Sequence, residues 1–239
     1  MVAPSSGLAF GGCEPALGAT VLAMLLADGR FPAGTYAHSL GLEQAVADGL
    51  QGAGVRAFAA ARLRLVAEPE ARVAVAAARA ARAGGAAAAR EVEAEWAARC
   101  PSPALRESAR VLGAALLRSA AAIWPSPLVD GYRAGSHATP RPVALGVVAA
   151  GCGLDDERLA TLALYDDAAT VASAALKLLP LDPAQASGWV AGLAGWIEGA
   201  GRDIAADRRA LAAQPAPAAV ELELAAAAHA KRRERLFAS

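Results

Sequence analysis

Between Asp28 and Val46 the chain reads DGRFPAGTYAHSLGLEQAV, with His38 directly before Ser39. A serine activated by a histidine base would be a nucleophile. Adjacent residues on a helix point about 100° apart, and no G-x-S-x-G elbow is present, so the two do not form a hydrolytic pair. A second chemistry is suggested by LDDERLATLALYDD, which carries Asp155, Asp156, Asp166 and Asp167. Acidic helices of this kind hold magnesium diphosphates in some all-helical enzymes, so the alternative function is an all-helical metal- or small-molecule-dependent enzyme using the Asp155–Asp167 segment. On one straight helix Asp156 and Asp167 return to nearly the same face but stand ~16 Å apart along the axis, too far for one ion bound at about 2.0–2.1 Å. The spacing predicts instead that Asp155 and Asp156 cap and charge a helix start, while Asp166 and Asp167 lie on a solvated turn. His38, His137 and His229 with a cysteine would form a soft metal site only if the fold gathered them, since none of the pairs has ligand spacing on one element. Transient metal contact at a subunit interface stays open. The only lysines, Lys177 and Lys231, do not follow a glycine, so no phosphate-binding P-loop is present. The sequence marks no residue for catalysis, for cofactor binding or for a metal.

The elements that must position these groups are helical. The chain has 239 residues, enough for one domain with a substantial core at roughly 100–200 residues per domain. Lys plus Arg and Asp plus Glu both number 23, so no general field draws the chain to nucleic acid or acidic lipid. Cys13, Cys100 and Cys152 are odd in number and lack C-x-x-C spacing, which reads as reduced thiols and a cytoplasmic protein. The N-terminal stretch has neither the basic start nor the continuous apolar run of a signal peptide. The most apolar runs, Val143–Leu154 and Ala168–Leu181, fall short of the ~20 residues of a membrane span.

Alanine dominates while valine and isoleucine are few, so local preference favours helix nearly throughout. In Pro103–Ile123 the apolar positions Leu105, Ala109, Leu112, Leu116, Ala120 and Ile123 recur at steps of three and four, which predicts an amphipathic helix opened by Ser102 and Pro103. In DPAQ, Asp182, Pro183 and Gln185 resemble a capping box opening another helix. Breakers at Pro32–Gly34, Gly52–Gly54, Gly84–Gly85, Pro101–Pro103, Pro125–Pro127, Gly131–Pro142, Pro180–Pro183 and Pro215–Pro217 divide the chain. The expected architecture is an all-α, single bundle-like domain of about eight to ten helices. Residues 1–20 are expected as a flexible N-terminal segment, 21–213 as the helical domain, and 214–239 as a linker and partner-docking tail.

The segment FPAGTYAHSLGLEQAV resembles the signature of the UreF family of urease accessory proteins. There an FP-x-G turn leads into an HS-x-GLE helix, and Phe31, Pro32, Gly34, His38, Ser39, Gly41, Leu42 and Glu43 fill those positions. The similarity continues in order through SPALRESARVLGAALLR, HATPRPVALGVVAAGCGL, ALKLLPL and the terminal RLFAS. Where the family reads RL-x-PLGQ, this chain reads KLLPLDPAQ, with Lys177 for arginine and Asp182 for glycine, and Ala230 stands where the family tends to glutamate. Lysine keeps the charge but loses the planar guanidinium fork.

The resemblance implies a non-catalytic adaptor or chaperone, dimeric within its complex, that binds UreD (UreH in some systems) and recruits the GTPase UreG. It would help couple GTP hydrolysis to nickel delivery into apo-urease, with nickel and GTP handled by the partners and no cofactor held stably. Pro32 and Gly34 are expected to set a turn, Gly41 to let another helix approach, and His38 with Glu43 to fix the geometry or meet a partner. On a helix, Ser39 and Glu43 would share a face at i,i+4. In the tail, Arg232, Arg233 and Arg235 beside Leu236 and Phe237 are expected to dock on UreD, the phenyl ring buried there and the arginines pairing at the rim.

Overall fold

A computed structural model describes residues 18–135 and 139–238. Cys13, His137, Ser239 and residues 1–17 of the expected N-terminal segment lie outside the described residues. Among those described there are ten α-helical segments and no strand: α1 Ala19–Leu26, α2 Leu42–Ala47, α3 Gly52–Arg62, α4 Glu68–Arg99, α5 Pro103–Ile123, α6 Pro127–Gly135, α7 Arg141–Gly151, α8 Asp156–Leu178, α9 Pro183–Ala206 and α10 Val220–His229. The all-α bundle anticipated from composition and periodicity is the fold observed.

Helix starts follow local rules. Ser102 accepts a hydrogen bond from the Leu105 amide, Asp155 from the Arg158 amide and Asp182 from the Ala184 amide, each satisfying a donor of the first turn. The return bond that a capping box would need from Gln185 is absent among the described residues. Helix α5 spans Pro103–Ile123 and buries Ala109, Leu112, Leu116 and Ala120, but Ile123 at its end is exposed.

Two breakers act differently from a simple stop. α3 and α4 form one rod, joined through a π-helical turn at Leu63–Ala67 just before Pro69. Proline lacks an N–H and its ring crowds the carbonyl four residues back, and the wider turn makes room for it without ending the rod. At Gly85 the backbone takes φ 69 and ψ −157, so α4 kinks there. The expected loop Gly131–Pro142 is shorter than its prolines and glycines suggest, since α6 runs to Gly135 and α7 starts at Arg141.

The centre of the bundle is α7, buried from Pro142 through Ala149. A helix apolar on every side must be enclosed, and α4, α5 and α6 surround it. α4 meets it with Ala74, Ala77, Ala78 and Ala81, whose small side chains let the axes come close. α8 lies on α4 and α9. A second, smaller cluster holds Leu42, Val55, Ala59, Val171, Ala174 and Ala175 together with Phe237. The C-terminal stretch is therefore folded onto the domain. Arg99 donates to the carbonyls of Leu211, Gln214 and Pro215, and α10 packs against α2 and α5.

Candidate functional site

The FP turn is held from outside by α5. Phe31 is buried and stacks on Trp124 with ring centroids 5.7 Å apart and planes 8° apart. The Ser119 hydroxyl donates to the Pro32 carbonyl at 2.6 Å. Gly34 has φ 82, a left-handed conformation that a residue without Cβ adopts at little cost. One turn of 3-10 helix, Thr35–Ala37, leads to His38, which is extended at φ −120 and ψ 139.

His38 and Ser39 are thus not on a helix, contrary to the expected HS-x-GLE helix, because Leu40 (φ 55) and Gly41 (φ 91) turn the chain before α2 begins at Leu42. The Ser39 hydroxyl lies ahead of the helix and accepts from the Glu43 amide at 3.3 Å. Gly41 is needed for its positive φ rather than for close approach, since a Cβ there would meet the Leu222 side chain at an ordinary 3.6 Å. A positive φ at leucine is unfavourable, and Arg62 steadies it by donating to the Leu40 carbonyl at 3.2 Å.

Glu43 is the hub of the site. Its Oε2 lies 2.8 Å from His229 Nε2 and accepts from the Phe237 amide at 3.0 Å, and its Oε1 accepts from the Leu236 amide at 2.7 Å. Burial raises the Glu43 pKa, but the bonds from His229, Leu236 and Phe237, with the charge of His229, together bring it below the ordinary glutamate value. Lys177 Nζ donates to the Tyr36 carbonyl at 3.2 Å and stands 5.2 Å from the centre of the Phe237 ring. This contact needs a point charge and no guanidinium fork. The Ala238 amide donates to the Ala37 carbonyl at 2.7 Å.

The tail departs from expectation in one respect. The Phe237 ring is buried in this chain's own core and not exposed for a partner, because Leu42, Val171 and the alanines of α8 leave an apolar socket beside α2. Leu236 faces outward at 64% exposure, with Arg233 and Arg235 exposed and Arg232 half-buried.

Under α10 and the tail lies a chamber of about 360 Å³. Arg62 and Asp167 form a two-pronged pair in its wall, with Arg62 Nε at 3.1 Å and Nη2 at 2.9 Å from the carboxylate. Arg141 Nη2 pairs with Asp166 beside it. Asp166 and Asp167 therefore occupy the buried face of α8 and not a solvated turn, because two arginines from α3 and α7 neutralise them there. Asp155 and Asp156 do cap and charge the start of α8, with Arg79 Nε 2.7 Å and Arg82 Nη2 2.8 Å from Asp156. All four aspartates of the acidic segment are engaged by arginines or by backbone.

Burial raises the pKa of Asp166 and of Glu70, whose carboxyl lines the same chamber. His229 is tied to Glu43, while His38 Nδ1 lies 3.2 Å from Ser108 Oγ, so the two described histidines serve separate contacts. No cluster of three or more His, Cys, Asp or Glu suited to a metal ion occurs among the described residues. No described helix is long and apolar enough to cross a membrane.

A family model described as UreF matches residues 51–194. The chain is 40% identical over 168 residues to the urease accessory protein UreF of Mycobacterium marinum, covering 69% of this chain and 76% of that one. It is 36% identical over 222 residues to the urease accessory protein UreF of Mycobacterium sp. strain JLS, covering 90% and 97%. The chain belongs to the UreF family. Its role is that of an accessory protein in urease maturation.

In this UreF chain the matched span runs from the start of α3 well into α9 and contains the Arg62–Asp167 and Arg141–Asp166 pairs. Sequence reasoning missed all four of those roles, and also Glu70 and the bond from His229 to Glu43. Arg62 and Arg141 had no local signal, being two arginines among many. For His229, the nearby RLFAS block marked the tail as important but not its attachment point.

Burial, with help from the charge of Arg141, lowers the His38 pKa from 6.5 to about 4. The folded chain holds the ring neutral where the unfolded chain protonates it. Its contribution to stability is complete above pH 6.5 and is lost as pH falls toward about 4. Urea midpoints measured across that window should fall with pH, and His38→Gln should flatten the fall. An unchanged slope in the variant would show that His38 does not carry it.

Proposed function

We propose that this UreF chain is a cytoplasmic adaptor in metallocentre assembly that joins UreD (UreH), recruits the GTPase UreG and helps couple GTP hydrolysis to nickel insertion into apo-urease. It performs no catalysis itself; nickel and GTP are handled by its partners, and it works as a homodimer within the complex. The match to UreF over residues 51–194 is the observation that most supports this reading.

The surface offered to UreD centres on Leu236, at 64% exposure, with Arg233 and Arg235 around it. Val220 at 58% and Leu224 at 65% extend the apolar area along α10. An apolar centre with a basic rim is the anatomy of a protein interface. Of the signature residues, Leu42 and Glu43, with Lys177, hold this surface in place from behind.

The test is co-expression with UreD and UreG. The intact chain should co-purify with both and show no turnover alone. Deleting residues 230–239 should abolish co-purification with UreD while the far-UV circular dichroism stays helical. Retained UreD binding by the deletion would reject tail docking, and failure of the intact chain to capture either partner would reject the adaptor itself.

A further inference from the structure

We infer that the chamber is a binding site for one small organic ammonium, an apolar body carrying a single positive charge that pairs with Glu70. Its basis is the lining of the chamber, and it does not depend on which partners the chain serves.

The inner wall carries one carboxyl more than it has cations. Asp166, Asp167 and Glu70 face the guanidiniums of Arg62 and Arg141. Arg62 is taken by Asp167 and Arg141 by Asp166. Glu70, brought from α4, makes no hydrogen bond to any described residue, and its oxygens are not sealed off by protein. The other groups do not change this balance. Arg99 and Arg235 are matched by Glu107 and Glu223, and His229 is paired with Glu43. His38 and the Cys100 thiol, with pKa values of about 4 and about 11, are uncharged near neutral pH.

A lone carboxylate in such surroundings is costly, and burial raises the Glu70 pKa. In the chain alone a proton supplies the missing positive charge. A ligand that replaces this proton must be cationic. Its body must be apolar, because Leu65, Val66, Val73, Trp96, Leu112 and Leu222 form much of the remaining wall. At about 360 Å³ the chamber lies at the small end of ligand pockets, which run from roughly 300 to 1,000 Å³.

A bare divalent ion fits less well, since it takes about six or more oxygen ligands. No group of three His, Cys, Asp or Glu suited to one occurs among the described residues. An ammonium asks for less: Glu70 accepts one of its N–H groups, and the hydroxyls of Thr35 and Thr170 in the same lining offer acceptors for the others. Binding is a proton exchange. The Glu70 O–H bond breaks, its proton passes to the buffer, and the carboxylate accepts an N–H from the ammonium, with no electrons transferred.

Benzylamine, charged at pH 6, is the probe. It is titrated calorimetrically into the full-length chain in phosphate and in MES, two buffers that differ in ionisation enthalpy. The wild type should bind it at least about tenfold more tightly than benzyl alcohol or benzoate, which share its ring without its charge. About one proton should be released for each molecule bound. Glu70→Gln keeps the shape but cannot ionise; it should weaken benzylamine about tenfold or more and abolish the proton release, with unchanged helical circular dichroism.

Benzyl alcohol or benzoate binding as tightly as benzylamine would overturn the site, as would no binding of benzylamine. Binding without proton release would overturn it too, and these outcomes are read on the wild type, whatever the fold of the variant. Unchanged benzylamine affinity in a folded Glu70→Gln chain would place the ligand elsewhere and would also overturn the proposal.

Discussion

Asp167→Ala is expected to lower the unfolding free energy by about 3–5 kcal/mol, a large part of the roughly 5–15 kcal/mol that holds a domain folded. The substitution leaves the Arg62 guanidinium, whose side chain is 6% exposed, without its carboxylate. A charge buried without its counter-charge carries most of its desolvation cost uncompensated. Arg62 keeps one bond, to the Leu40 carbonyl, and that bond holds the left-handed turn of the signature. Loosening Arg62 therefore also loosens the segment that presents Glu43 to the C-terminal stretch. Urea unfolding at pH 7 gives the measurement, through the midpoint at constant slope. Arg62→Leu combined with Asp167→Leu should recover much of the loss, because a pair of apolar side chains leaves no charge unpaired. A single-variant loss below about 1 kcal/mol would mean that the pair is solvated and that the chamber wall is not as described.

Gly146→Ala is expected to destabilise by about 1–3 kcal/mol or more, against a helix propensity that alone predicts a gain of about 1 kcal/mol. Gly146 lies in the middle of α7, where alanine is the better helix former. In the bundle, a Cβ at this position would fall 2.3 Å from the Ala74 carbonyl oxygen, 2.8 Å from Ala77 Cβ and 2.9 Å from the Ala78 amide nitrogen. These belong to α4 backbone and to a methyl group, none of which can rotate away, so the two helices must separate along their contact. Gly195→Ala on α9 is the internal control, because nothing lies within 4 Å of the added methyl. Thermal midpoints of the two variants should move in opposite directions. If Gly146→Ala is as stable as the wild type, the α4–α7 contact is looser than its geometry indicates.

Part of this architecture was legible from short windows of sequence. The caps at Ser102, Asp155 and Asp182 and the span of α5 depend on interactions over a few residues, and those are encoded next to one another. The ordered blocks from FPAGTYAHSLGLEQAV onward likewise pointed to UreF, since a family resemblance is a property of the chain in one dimension. Windows failed where a distant side chain decided the outcome. Asp166 and Asp167 looked solvated because adjacent carboxylates rarely enter a core unpaired, and their arginines lie 25 and 105 positions away.

The same distinction separates what this sequence determines by itself from what its tertiary structure decides. Alanine content, caps and breakers commit the chain to helices and set where most of them start and stop, through propensities and hydrogen bonds that act within one or two turns. The bond from His229 to Glu43 joins residues 186 positions apart, and Phe237 meets Leu42 and Val171 in one apolar cluster. No period or spacing encodes such a meeting, because it exists only after α2, α8 and α10 have packed and the cost of closing the long loops between them has been met by the core. Gly146 is the clearest case: local preference favours alanine there, and only the nearness of the α4 backbone makes glycine the residue that fits.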